Sequence, residues 1–118
     1  MSRRPEPFSP LGWQARAPVF AALGDKTRLV LIGKLCAGPP QSITSLSQGS
    51  RLTRQAITKH LRVLEDANLV EGVRAGRETL FHFKPAPLSD AQRYLAFVSR
   101  QWDDALLRLK ALVEADPG

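Results

Sequence analysis

The sequence predicts a mainly α fold with a two-stranded β wing (α+β), a winged helix-turn-helix with terminal dimerisation helices. Three observations lead there. Residues 52–70, LTRQAITKHLRVLEDANLV, carry apolar residues at helical spacing with polar and cationic residues opposite them. They run directly into EGVRAGRETLFHF, two runs of strand formers parted by a basic turn. The C-terminal segment then reads as one long helix whose apolar surface is wider than a single seam.

The elements follow in order. Residues 1–10 contain Arg3, Arg4 and three prolines but no apolar run, and read as a flexible tail rather than a signal peptide or anchor. Residues 11–118 form the single domain expected of a chain this short. A first helix is expected over residues 13–23, with Pro18 requiring a late start or a kink. Asp25 can cap a second helix with Leu29, Ile32 and Leu35 on one face, which Ala37, Gly38, Pro39 and Pro40 end. Residues 42–48 make a short helix with Ile43 and Leu46 inward, and Gly49 and Ser50 loosen the chain before Arg51. A short helix, a turn and a longer helix constitute the helix-turn-helix. Leu69, Val70 and Val73 supply one wing strand and Leu80, Phe81 and Phe83 the other, around Arg74, Ala75, Gly76 and Arg77. Pro85 and Pro87 close the wing, and Ser89 with Gln92 reads as a capping box opening a helix over about residues 88–115.

In that helix Leu88, Ala91, Leu95, Val98, Trp102, Ala105, Leu109 and Leu112 alternate three and four apart, and Tyr94, Phe97, Leu106 and Val113 widen the stripe. A helix of ~28 residues spans ~42 Å, longer than the core of a small winged domain requires. The surplus is assigned to a homodimer interface comprising Leu95, Val98, Trp102 and Leu109, with Trp13 and Phe20 of the first helix alongside.

The chemistry concentrates between Arg51 and Arg77. Thr53 is a good N-cap, so the longer helix begins at Arg54. Ala56, Ile57, Leu61 and Leu64 then form the buried stripe, leaving Arg54, Gln55, Thr58, Lys59 and Arg62 on the other face. From Arg51 to Arg62 there are four cations and no carboxylate, which suits a helix in a major groove between phosphates. Gln55 and Thr58 are assigned to base edges, Arg54 to bases or phosphate, and Lys59 and Arg62 to the backbone. Arg74 and Arg77 flank the wing tip, placed for a minor groove or a phosphate track. Arg51 and Thr53 complete the set. A solvated amphipathic helix has the same bare pattern; the turn before it and the ribbon after it favour double-stranded DNA.

LGDKTRLVLIGKL, ITKHLRVLEDANLV and GRETLFHF together resemble the ArsR family of dimeric bacterial winged helix-turn-helix repressors, over roughly residues 15–115. RQWDDALLRLKALVE is similar to the final helix of a branch that lacks metal-ligand motifs. The resemblance implies a dimer built from terminal helices that represses transcription by blocking polymerase. The chain departs from the family at Ser50, commonly apolar there, and at Arg51, where the turn often has Gly. Ser47 and Gly49 stand where metal-responsive relatives can carry Cys.

Composition narrows the remaining classes. The formal net charge is +6, with six cations against two anions in residues 1–50, seven against four in 51–84 and four against five in 85–118. The positive field therefore belongs to the segment assigned to DNA. A single cysteine forbids an internal disulfide and fits the cytoplasm, and no apolar run approaches a membrane span. Zinc or a softer metal needs three or four converging ligands, and the only histidines are His60 and His82. His60 reads as a half-buried donor between core and phosphate. Cys36 reads as apolar-facing packing, with a thiol sensor as the second reading. No cofactor is expected. No phosphate loop, nucleophile elbow or carboxylate pair marks an enzyme, since Asp103 with Asp104, and Glu65 with Asp66, point apart. Two rival classes are a winged-helix protein-interaction module, which needs an apolar patch, and an RNA or nonspecific nucleic-acid binder, which needs aromatic platforms. A small-molecule effector is left open.

Overall fold

Side-chain caps set the helix starts. In the computed structural model residues 10–115 are described, with side chains from residue 14 onward. The expected tail up to residue 9 and the Trp13 side chain lie outside the described residues. The order is α1 (Pro10–Leu23), α2 (Lys26–Cys36), β1 (Gln41–Ser42), α3 (Ile43–Ser47), α4 (Arg54–Asp66), β2 (Val70–Ala75), β3 (Glu78–Phe83) and α5 (Ala86–Glu114). Asp25 opens α2 by accepting the Arg28 N–H at 3.0 Å, and Thr53 opens α4 by accepting the Ala56 N–H at 3.1 Å, as the sequence predicts. Ser42 does the same for α3. Gly49 takes the positive φ of 74° in the turn, and the Leu52 N–H donates to Ser50 Oγ. The departures from the family at Ser50 and Arg51 are thus absorbed by a glycine one residue earlier and a local side-chain bond.

Helix α4 ends on Asn68, at φ 61°. The Asn68 N–H donates to Glu65 O at 2.8 Å and the Leu69 N–H to Leu64 O at 2.9 Å, the paired bonds of a Schellman stop. Leu64 and Leu69 are both fully buried there. The stop turns the chain directly into β2, which begins two residues later at Val70.

The core lies where α2, α3, α4 and the sheet meet. Leu31, Ile32, Leu35, Leu46, Ile57, Leu61, Leu64, Leu69, Val70 and Phe81 are buried in one cluster. Ile57, Leu61 and Leu64 confirm the predicted stripe of α4, with Ala56 half-buried at its margin. On α2 the expected face needs correction: Leu29 is exposed and Leu31 is buried. Leu31, Ile32 and Leu35 fit within one 100° sector of the helix, which places Leu29 off to its side. Cys36 is likewise exposed rather than packed. Its thiol is pushed up by desolvation, away from the low-pKa thiolate of a reactive cysteine.

The sheet has three strands rather than two, antiparallel in the order β1-β3-β2. Gln41 and Ser42 pair with Phe81 and Leu80, tying the start of α3 to the wing. Gly72 faces Phe81 across β2 and β3, and a Cβ there would stand 2.9 Å from Thr79 Cγ2 and 3.0 Å from Phe81 Cε1. The missing side chain lets the Phe81 ring close the core. Gly76 turns the hairpin at φ 64°.

Helix α1 runs from Pro10 through Pro18 to Leu23, so the late start does not occur and the proline lies within the helix. Its packing on α2, α4 and α5 overrides the local cost of the proline. The capping box expected at Ser89 and Gln92 does not form. Instead α5 starts at Ala86, with Pro85 at the cap and Pro87 in the first turn, where missing N–H groups cost nothing. Ser89 is an ordinary helical residue whose N–H donates to Pro85 O. At its base α5 holds α1: Asp90 accepts from Arg16 at 2.9 Å, and the Phe20 and Tyr94 rings lie 5.9 Å apart. Ala91 is the buried residue of this helix, while Leu95, Trp102, Leu106, Leu109, Leu112 and Val113 are exposed.

Candidate nucleic-acid interface

The exposed side of α4 presents Arg54, Gln55, Thr58, Lys59 and Arg62 together, and they line an open cleft of about 380 Å³ with Ile43. Thr58 Oγ1 donates to Arg54 O at 2.8 Å, so its hydroxyl proton is engaged and it faces outward with lone pairs and a methyl group. Thr53 is partly committed too, its oxygen accepting the capping N–H. By contrast, the side chains of Arg51, Arg54, Gln55, Lys59, Arg62 and Arg77 make no hydrogen bond or ion pair among the described residues. Unbonded cations on a rigid helix with no carboxylate beside them are poised for an external anion.

Two other arginines, Arg16 and Arg28, hold the fold instead. Arg16 pairs with Asp90. Arg28 donates through Nε to Ala22 O at 2.6 Å and through Nη2 to Ala21 O at 3.3 Å, closing the carbonyl end of α1. Its Nη1 lies 3.3 Å from Nδ1 of His60, which also stands 3.8 Å from Asp25. His60 is half-buried, as expected, and its Nδ1 ties α4 to the start of α2. The Arg28 N–H bond holds the Asp25 carboxyl below its usual pKa, with further lowering by the Arg28 and His60 charges. Sequence reading missed Arg28 because it meets His60 across 32 positions of chain.

The wing carries the second part of the site. Arg74 and Arg77 are both exposed at its tip. Arg74 folds back, donating through Nε to Gly76 O at 3.2 Å, whereas Arg77 stays unbonded. At the wing base Lys84 donates to Asn68 Oδ1 at 2.7 Å and lies 3.7 Å from Glu71, and His82 lies 3.9 Å from the same carboxylate. Of the expected interface residues on α5, Leu95, Trp102 and Leu109 are exposed and Val98 is half-buried, while Phe20 packs on Tyr94 within the subunit. Among the described residues no three of His, Cys, Asp and Glu converge as a metal site, and no helix is long and apolar enough to cross a membrane.

A helix-turn-helix whose second helix holds an unbonded polar face beside a basic wing defines a DNA-binding transcriptional regulator of the winged-helix class. Comparison with known proteins gives the same class. A helix-turn-helix domain family matches residues 23–73. YuzN of Bacillus subtilis strain 168, an HTH-type transcriptional regulator, is 37% identical over 78 residues, 61% of this chain and 85% of the relative. NmtR of Mycobacterium tuberculosis, also an HTH-type transcriptional regulator, is 36% identical over 81 residues, 66% of this chain and 67% of the relative. The solved structure of an ArsR-like transcriptional regulator from Rhodococcus sp. RHA1 superposes with a TM-score of 0.75 at 37% identity, covering 88% of this chain and 97% of that one. The chain belongs to the ArsR family of winged helix-turn-helix transcriptional regulators.

Proposed function

We propose that the protein acts in the cytoplasm as a homodimeric repressor on a pseudo-palindromic operator. The observation that carries this reading is the outer face of α4, where Arg54, Gln55, Lys59 and Arg62 are exposed and bonded to nothing else in the described chain. In a dimer the two α4 helices enter successive major grooves with the wings on the flanks, and bound protein blocks polymerase. Gln55 reads a base edge, and Thr58 contributes acceptor and methyl contacts. Lys59 and Arg62 hold phosphates, and Arg74 and Arg77 extend the hold from the wing, with Arg51 and Thr53 at the helix entrance. The second subunit covers the apolar surface of α5 through Leu95, Val98, Trp102 and Leu109, with Trp13 and Phe20 alongside.

Selection of preferred sequences from random duplex DNA with the purified protein tests this reading. The expected product is a pair of inverted half-sites with centres ~34 Å apart or a multiple of that spacing. A single unpaired half-site would refute the dimeric arrangement, and the absence of any consensus would refute sequence-specific reading. Operator affinity is also expected to stay constant when zinc is added or a chelator removes it, because among the described residues no ligand cluster couples a metal to the fold. A shift of roughly tenfold at constant ionic strength contradicts that.

A further inference from the structure

A second cleft, of about 220 Å³, opens between the wing tip and the start of the recognition helix. Arg54 of α4 and Arg77 of the wing both line it, with Ser42 and Thr44 of the α3 segment and Glu78 and Thr79 of β3. The β1 pairing makes it: Ser42 is in register with Leu80, which brings the hydroxyl-bearing start of α3 against the wing strand. Two arginines from separate elements thus line one small hollow, and neither side chain has a partner among the described residues. A planar guanidinium suits the oxygens of a phosphate, and hydroxyls beside it can donate as well.

We propose that this cleft seats one backbone phosphate of the bound duplex, gripped from the recognition helix by Arg54 and from the wing by Arg77. This rests on the DNA-reading function proposed above and adds a place to it. Arg54 is then a backbone residue rather than a base reader. A phosphate held from both elements fixes the register of the α4 helix in the groove against the wing. Glu78 bears on the same cleft, and its carboxylate repels an incoming anion. A free phosphate ion is therefore held poorly, whereas a diester delivered by a duplex already anchored along α4 arrives at high effective concentration.

A scan with single neutral methylphosphonate linkages in the selected operator tests the seat. For the wild type, one linkage in each half-site is expected to weaken binding roughly tenfold. Arg54→Ala and Arg77→Ala are each expected to be weaker on the unmodified site and insensitive to that same linkage. Lys59→Ala is expected to keep its sensitivity there. Glu78→Gln is expected to tighten binding on specific and scrambled duplexes alike. Inorganic phosphate at matched ionic strength is expected to compete no better than chloride; stronger competition that vanishes in Arg77→Ala would make the cleft a free-anion site and overturn the DNA assignment. If Arg54→Ala and Arg77→Ala lose sensitivity at different linkages, or at none, while a base consensus persists, the seat is refuted and the DNA-reading function stands. Loss of any consensus overturns both.

Discussion

In α4 the apolar residues Ile57, Leu61 and Leu64 are at most 1% exposed, whereas in α5 Leu95, Trp102, Leu109 and Leu112 stand 53–72% open. Both helices have apolar residues three and four apart. The difference comes from what the topology lays against each one. Helix α4 is enclosed by α1, α2, α3 and β2, and the face that carries Arg54, Gln55, Thr58, Lys59 and Arg62 is polar and exposed. Helix α5 touches α1 along its base and then runs on, its second half lined with apolar side chains that this subunit leaves uncovered. Periodicity therefore identifies an apolar face but not whether the same chain covers it. One helix stabilises the subunit and offers a polar surface to DNA; the other is assigned to a second copy.

The largest effect is expected in the core. Leu64 is fully buried, so Leu64→Ala is expected to destabilise the fold by about 2–5 kcal/mol, read by chemical denaturation. A loss under about 1 kcal/mol would mean that the core around α4 collapses easily and is not the rigid platform described. Next comes Trp102→Ala, expected to weaken dimerisation by about 2 kcal/mol or more, with operator binding falling in parallel. Sedimentation equilibrium at micromolar concentration would register added monomer. A wild type that is itself monomeric there would remove the second copy from the account.

The smallest effect concerns pH at the cap of α2. Asp25 has a folded pKa below its ordinary 3.8, so it contributes stability above that value and loses it as the pH falls through the depressed folded value. Asp25→Asn, which can still cap, is expected to lessen the fall of melting temperature between about pH 5 and about pH 2. An unchanged profile would mean that the α2 start and its His60 contact hold without the carboxylate charge.

Local signals were the legible ones. Asp25 and Thr53 could be read as caps because a cap is decided within three residues, and the exposed set from Arg54 to Arg62 followed from helical spacing alone. The illegible features join distant segments. Strand β1 is two residues long and exists through its register with Phe81 and Leu80, and Arg28 acquires its role by meeting His60 and the end of α1. Competition between local signals misled at Ser89, where prolines already suited to a first turn claimed the helix start. The stop at Asn68 carried a signal that could have been used, since asparagine tolerates positive φ directly after a helix.

The most direct test of the division between α4 and the wing is a set of binding titrations on specific and scrambled duplexes at several salt concentrations. Gln55→Ala is expected to lose about 1–3 kcal/mol on the preferred site and to discriminate less at one position per half-site, while scarcely affecting scrambled DNA. Arg62→Ala and Arg77→Ala are expected to weaken all duplexes alike and to lower the salt slope by about one counterion each. Equal weakening of both duplexes by Gln55→Ala, together with no change from Arg77→Ala, would contradict the assignment of bases to the recognition helix and phosphate to the wing.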